Sequence, residues 1–416
     1  MIKRKLLPIL LEMLENFRIV AINGPRQSGK TTLQKEIATL KGYHYYTFDD
    51  QDTYDTASND PSGFITYISK EKVAIDEVQM VPSLIPVIKM SVDDKNEKGM
   101  YLLTGSSDMF KNSKIKESLA GRMVSFNLFP LSYAEINNRD INIIDKLFSE
   151  DFNNFKMKFE EIENDTFTDA VINGGYPEVY TLSSRAKKAW FEFYIKARIT
   201  KDISTIENVD LAKITSLDKL LKILAGHIGK LVNYKNISTT VGIADKTVTK
   251  YIQLLEALYI VKLLPSYSNN LLKRVVKSPK VHFIDSGLAS YLLNIDKEGA
   301  MTKRGEVYGD LVESFVYSEL IKHQSYAETS INIYHYRDQQ KVEVDFVLES
   351  TSGDVVAIEV KSGSSIKKEY FKGLVTLAKT IDPKRFKGIM LYGGDKVLPY
   401  KVGDFTFWAI PLKVLV

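Results

Sequence analysis

The residues Gly24-Pro25-Arg26-Gln27-Ser28-Gly29-Lys30-Thr31 space two glycines, a lysine and a hydroxyl as a backbone cradle for phosphate requires. Gly24 and Gly29 let the chain turn so that successive N–H groups converge on anionic oxygens. Lys30 is set to reach the outer phosphates of a nucleotide, Thr31 to hold Mg2+, and Thr32 to complete the cofactor-binding run. Asp76-Glu77 supplies a second element of the same chemistry: Asp76 for the metal ion, Glu77 as the base that polarises an attacking water. A third constellation lies far downstream, with Glu313, Asp345 and Glu359 as candidate metal ligands. Lys361 stands beside them, suited to orient or deprotonate a water attacking a phosphodiester.

Such groups need elements to hold them. The apolar run FRIVAI over 17–22 reads as a buried parallel strand, and TLQKEIATL after the glycine loop reads as a helix whose dipole points at the bound anion. KVAI over 72–75 leads as a second strand into the acidic pair. A third strand, 100–103, ends in Thr104-Gly105-Ser106-Ser107, which serves equally as a sensor of the terminal phosphate through Ser106 or as a plain turn. Arg122 is a candidate arginine finger, in cis or from a neighbouring subunit, with a surface arginine as the bland reading. Downstream, the strands KVEVDFVL and AIEVK join through a turn at Thr351-Ser352-Gly353-Asp354. That hairpin brings Asp345 beside Glu359, and the two-residue period of a strand puts Glu359 and Lys361 on one face.

Between these regions the chain is helical. Arg185, Lys187, Lys188, Lys196, Arg198 and Lys201 interleave with Trp190, Phe191, Phe193 and Tyr194, which reads better as a buried helix face with a solvated basic side than as a stacking platform. Residues 219–228 and 237–241 read as two helices, Gly242-Ile243-Ala244 as a turn, and Asp245 as the cap of a third helix. Val248, Tyr251, Ile252 and Leu255 share its inner face; Lys246, Thr249, Lys250 and Gln253 point outward. This is a helix-turn-helix with a polar, basic face that suits DNA, although such modules also serve structural or protein-binding roles.

Composition sets the bounds. At 416 residues the chain exceeds what one core usually serves, and 44% hydrophobic with 26% charged residues is ordinary for a globular protein. A net charge of +4 makes no case for nucleic acid by itself. The absence of cysteine excludes disulfides and thiolate chemistry. No run is long and apolar enough to span a bilayer. The opening MIKRKLLPILLEML, interrupted by Glu12 and Glu15, reads as an amphipathic helix rather than a leader, so a cytoplasmic protein without membrane partners is expected.

GPRQSGKTT, VAIDEVQ, YLLTGSS and SLAGRMVSFNLFPLSYAE together resemble a prokaryotic AAA-type ATPase family whose members carry a C-terminal domain of unknown function. NGGYPEVY, SPKVHFIDSGLAS and GDLVESFVYSEL extend that resemblance across nearly the whole chain. It implies ATP hydrolysis with Mg2+, an AAA-like core and homo-oligomerisation, and leaves the substrate open. The order helix-Glu, strand-Asp, turn, strand Glu-x-Lys resembles the PD-(D/E)XK nuclease superfamily, with Val344 where a proline is usual before the metal-binding acid. The expected architecture is α/β: a P-loop AAA-type core with a parallel sheet over 1–140, a helical lid over 141–210, a winged-helix module over 211–265 and a restriction-endonuclease-like domain over 266–416. Expected partners are DNA, further copies of the chain and, in an alternative reading, a protein acted on by an ATP-switched regulator whose last domain is inert.

Overall fold

The computed structural model describes residues 2–106, 119–149, 152, 162–198, 211–268, 270, 274, 278–302 and 305–416. Lys201 and Ser107 of the sequence reading lie outside them. Internal contacts divide the chain into one unit of Met1–Leu131 with Ala257–Tyr259, and a second of Ser132–Glu256 with Ile260–Val416.

In the first unit, β1 (Ile19–Asn23), β2 (His44–Thr47), β3 (Val73–Asp76), β4 (Tyr101–Gly105) and β5 (Met123–Asn127) form a parallel sheet in the order β2-β3-β4-β1-β5. β1, β3 and β4 are buried along their whole length, as strands covered on both faces must be. Helices α1 (Leu7–Asn16), α2 (Lys30–Lys41), α3 (Gln51–Asn59), α4 (Pro61–Ile68) and α5 (Leu84–Lys95) accompany it. Ile19, Ala21, Ile75 and Leu103 from the sheet pack with Phe64, Ile85 and Ile88 in one core. The opening residues do form a helix, α1, with Pro8 in its first turn and Leu7, Leu10 and Leu14 buried. The candidate loop leaves the C-terminal edge of β1, next to the crossover between neighbours β4 and β5, where open α/β sheets place their ligands.

The second unit starts with α6 (Tyr133–Ile136), α7 (Ile143–Ser149), α8 (Asn164–Asn173), α9 (Ser184–Ala197) and α10 (Leu211–Ala225). On α9, Phe191 and Tyr194 are buried, and Trp190 stacks on Tyr194 with ring centres 5.0 Å apart, so these aromatics are a packed cluster. The helix-turn-helix follows as α11 (Tyr234–Val241) and α12 (Asp245–Ala257), with Gly242 in the left-handed region closing α11. Val248, Tyr251, Ile252, Leu254 and Leu255 of α12 are buried. Lys246, Lys250 and Gln253 are exposed and Thr249 is half-buried. β6 (Val261–Leu264) then pairs antiparallel with β7 (Lys280–Phe283), a ribbon that runs across the 265/266 boundary drawn from sequence.

After α13 (Ser286–Leu293) and α14 (Lys297–Thr302), the long α15 (Gly305–Gln324) precedes a mixed sheet. Its strands are β8 (Ile331–Arg337), β9 (Glu343–Ser350), β10 (Val355–Lys361), β11 (Phe386–Tyr392), β12 (Leu398–Val402) and β13 (Phe405–Pro411), in the order β12-β13-β11-β10-β9-β8. α16 (Lys372–Ala378) lies against it through Leu374 and Leu377, beside Val344, Val347, Ala357 and Met390. The β9–β10 hairpin turns where the sequence placed it, with Gly353 at φ 87°. Among the described residues no helix is long and apolar enough to cross a membrane.

Candidate functional site

Gly24 takes φ 146°, and a Cβ there would strike the carbonyl of Leu128, so neither the torsion nor the space admits another residue. Gly29 caps α2 at φ 93°, and Lys30 opens the helix. Between them Gln27 also sits in the left-handed region at φ 61°. The loop therefore turns sharply while the first N–H groups of α2, which have no intrahelical acceptors, face its centre. Gln34 fixes this helix on the sheet: its buried amide donates to the carbonyls of Ile75 and Leu102 at 3.1 and 2.9 Å.

The interior of the loop suits a polyphosphate. Lys30 is buried, and its Nζ donates to the carbonyls of Gly24 and Pro25 at 3.1 and 2.8 Å. Ser28 is fully buried, and its Oγ is without a hydrogen-bond partner among the described residues. An orphaned hydroxyl beside a buried ammonium, inside a glycine-bounded turn, fits an anion that accepts from both. Arg26 and Thr32 flank this cradle in the loop and in α2.

Next to the cradle, Asp76 ends β3 and is almost fully buried. Its Oδ2 accepts from Thr31 Oγ1 at 2.7 Å and from the Tyr45 hydroxyl at 2.9 Å, while Oδ1 accepts from Thr104 Oγ1. Burial, and then the Asp76 charge, push the Tyr45 phenol well up, so it remains a donor. Thr31 and Asp76 thus meet as a metal-bearing pair must. Glu77 follows in the left-handed region at φ 57°, its N–H bonded to Thr104 Oγ1 at 3.2 Å. Its carboxylate accepts from Gln79 Nε2, which also donates to Ser106 Oγ at 3.1 Å. Ser106 at the tip of β4 is therefore linked to the candidate base through an amide.

Arg122 is elsewhere. Its carbonyl accepts from Ile19 N at the N-terminal edge of the sheet, and its guanidinium grips Asp93 at 2.5 and 2.8 Å. β1 separates that edge from the loop by about 13 Å, so Arg122 does not reach the phosphate cradle of its own chain. Its hydrogen bonds to Asp93 raise the arginine and lower the aspartate from their ordinary values.

Two residues of the loop site, Tyr45 and Arg4, escaped the sequence reading, while Gln79 and Thr104 stood inside the VAIDEVQ and TGSS runs without a role of their own. Arg4 was read as part of a basic helix start, yet it is buried and donates to the carbonyls of Ser28 and Phe129 at 2.9 and 2.6 Å. It holds the back of the loop. An arginine ahead of an apolar helix gives no sign of that duty.

The downstream constellation is also assembled. Val360 N donates to Asp345 Oδ2 at 2.9 Å, and Lys361 Nζ to Glu359 Oε1 at 2.6 Å. Glu313 projects from α15 toward the same place. What the sequence reading omitted is Lys280 of β7, whose Nζ lies 3.1 Å from Glu313, 3.5 Å from Asp345 and 3.7 Å from Glu343. Its side chain is 3% exposed. Among the described residues no group of three His, Cys, Asp or Glu side chains is disposed to hold a metal ion, and beside the expected ligands Glu313 and Asp345 stands the Lys280 ammonium. Unit charges 4 Å apart interact by about 4 kcal/mol at an effective dielectric near 20, so a divalent ion beside this ammonium would meet about twice that repulsion.

Electrostatics at the centre are tightly linked. Burial, then the neighbouring Asp345, push Glu313 and Glu359 up to about 8. Burial alone would lower Lys280, but Glu313, Asp345 and Glu343 more than offset it and raise the ammonium. Lys361 is raised in the same way, chiefly by Glu359 against burial. His282, on the same face of β7, is pushed well down by burial and by Lys280, so it stays neutral beside Glu313.

Comparison with known proteins agrees with the first unit. Residues 16–137 match a family model described as AAA domain. Residues 164–299 and 308–415 match two models described as domains of unknown function. An uncharacterized protein of Mycobacterium tuberculosis is 28% identical over 364 residues, covering 86% of this chain and 74% of that protein. An uncharacterized protein of Methanocaldococcus jannaschii is 26% identical over 91% of this chain and 81% of its own length. Among solved structures, a Walker-type ATPase of Pyrococcus abyssi aligns over 70% of this chain and 96% of its own, with TM-score 0.38 and 13% identity. The parallel sheet, the glycine loop and the buried Lys30 and Asp76 all lie within residues 16–137, the stretch that is similar to an AAA domain.

Proposed function

We propose that this chain binds ATP with Mg2+ in the loop of residues 24–32, hydrolyses it, and uses the cycle to act on DNA. The observation that carries the nucleotide part is the buried pairing of Lys30 with neutral carbonyls beside the orphaned Ser28 hydroxyl. Lys30 and the α2 N–H groups hold the β- and γ-phosphates. Thr31 and Asp76 would hold the metal, which would offset the charge of the phosphates. Glu77 takes the proton of the attacking water, while Gln79 keeps its carboxylate aimed and tied to Ser106 at the sensing tip of β4. Arg122, remote from its own cradle, serves as a finger only for a neighbouring copy in a homo-oligomer.

The DNA part rests on α12, whose exposed Lys246, Lys250 and Gln253 stand on the outer face of the second helix of a helix-turn-helix, with β6–β7 as the wing of a winged helix. Duplex DNA should raise ATP turnover, and the double variant Lys246→Glu/Lys250→Glu should lose the stimulation without losing basal turnover. Stimulation that survives the variant would move the contact elsewhere.

A second reading is favoured by Lys280. In it the restriction-endonuclease-like region is inert, and the protein is an ATP-switched regulator of DNA or of a protein partner. Supercoiled plasmid with Mg2+ or Mn2+ separates the two. Nicking that vanishes in Lys361→Ala would make Asp345, Glu359 and Lys361 a Mg2+-dependent nuclease; intact plasmid supports the regulator.

A further inference from the structure

We infer that the carboxylate centre of the C-terminal region carries its own cation: the Lys280 ammonium stands where a divalent ion would sit among Glu313, Asp345 and Glu343, so the native centre takes no metal. The inference does not depend on what the nucleotide domain does.

Lys280 cannot simply swing aside. Its backbone is held on two sides, paired with Leu264 of β6 across the ribbon and bridged to Leu231 ahead of α11. The pleat of β7 puts Lys280 and His282 on one face, and both reach Glu313, at 3.1 and 3.8 Å. Gly229 closes the centre from another side: a Cβ there would lie 2.9 Å from a Glu313 oxygen. Burying an ammonium is costly unless partners offset its charge, and here three carboxylates lie within 4 Å.

Charge balance points the same way. Glu313, Asp345 and Glu359 face Lys280 and Lys361, while Glu343 also pairs with Arg337 at 2.9 Å. Three carboxylates against two ammonium groups leave at most one negative charge. A divalent ion added to that set would leave an excess positive charge in a buried place. The consequence for the fold is a lock: β7, which carries the ribbon of the helix-turn-helix region, is bolted to α15 and β9 by one side chain.

The test is Mn2+ titration of the full-length chain without nucleotide, followed by calorimetry and by the Mn2+ paramagnetic signal. Wild type should show no site that responds to Asp345→Asn. Lys280→Met, which keeps the length of the stem, should gain one Mn2+ site about 100-fold or more tighter than any in wild type, because a unit charge adjacent to the ion is gone. Asp345→Asn added to Lys280→Met should abolish it. A wild-type Mn2+ site lost on Asp345→Asn would overturn the inference, as would a folded Lys280→Met with no gain. If Lys280→Met does not fold, the wild-type arm decides alone, with the unfolding midpoint in Mn2+ against EDTA as its second readout: no shift supports the internal cation, and a rise in Mn2+ that Asp345→Asn removes sinks it.

Discussion

Two buried lysines define the chemistry of the two units, and they differ in what they hold. Lys30 of the glycine loop donates to backbone carbonyls of Gly24 and Pro25. Lys280 of β7 lies among the carboxylates of Glu313, Asp345 and Glu343. Carboxylates around an ammonium cancel its field, so the second lysine is spent within the fold. A motif of charged residues is therefore only as active as its neighbours allow, and the neighbour that decides need not belong to the motif.

The comparison breaks first at Lys30. Lys30→Ala should weaken ATP binding by about 100-fold or more, since charge-assisted contacts to two phosphates contribute about 1.5–3 kcal/mol each. Titration with a fluorescent ATP analogue reads this directly, and retained affinity would remove the loop as the nucleotide site. Glu77→Gln should leave that affinity unchanged and cut turnover by about 100-fold, the lower end of what a positioned base contributes. Persisting turnover would put the base elsewhere.

Gln79 sharpens the picture within the first unit. It bonds both Glu77 and Ser106, so it is a positioning residue for the base. Gln79→Ala should lower kcat about 10-fold with KM little changed, because the base loses the donor that aims it, and Gln79→Asn should recover part of the loss. Equal effects on kcat and KM with no recovery in Gln79→Asn would assign Gln79 a merely structural role.

The smallest expected effect tests the second unit. Glu313 and Glu359 rise from an ordinary 4.5 to about 8 in the folded chain, facing Lys280, Lys361, Asp345, Glu343, Asp310 and the neutral His282. A raised carboxyl favours the folded state fully below its unfolded value and loses that contribution as the pH climbs through its folded value. Stability of this unit should therefore fall between about pH 4.5 and pH 8. Both tryptophans, Trp190 and Trp408, lie in the second unit, so urea unfolding followed by their fluorescence reports it alone. Glu313→Gln should flatten the slope. A stability that rises over that interval would contradict the raised carboxyls.

Much of the molecule was legible because it is local. The strand-loop-helix of residues 17–41, the acidic pair after β3, the hairpin at Gly353 and the inward face of α12 each depend on residues a few positions apart, where periodicity and turn chemistry act. The domain divisions were harder. Residues 132–140 resemble the tail of the first region in sequence but pack in the second unit, where Tyr133 N donates to the buried Glu319 at 2.9 Å. Arg4 and Tyr45 were invisible because single side chains without a motif show their duty only through the partner they meet.

The sequence by itself determined that a glycine-bounded turn and a helix follow β1, that Asp76 and Glu77 stand at the end of β3, and that Asp345 meets Glu359 across a hairpin. Spacing, glycine torsions and the two-residue strand period suffice for these. Only the tertiary structure decided that Arg122 belongs to the far edge of the sheet with Asp93, and that Lys280 enters the carboxylate centre from a different strand pair. Both are long-range encounters, 29 positions apart for the first and 33 to 65 for the second. Charge attraction is the same whatever the separation along the chain, so no local pattern records which lysine arrives.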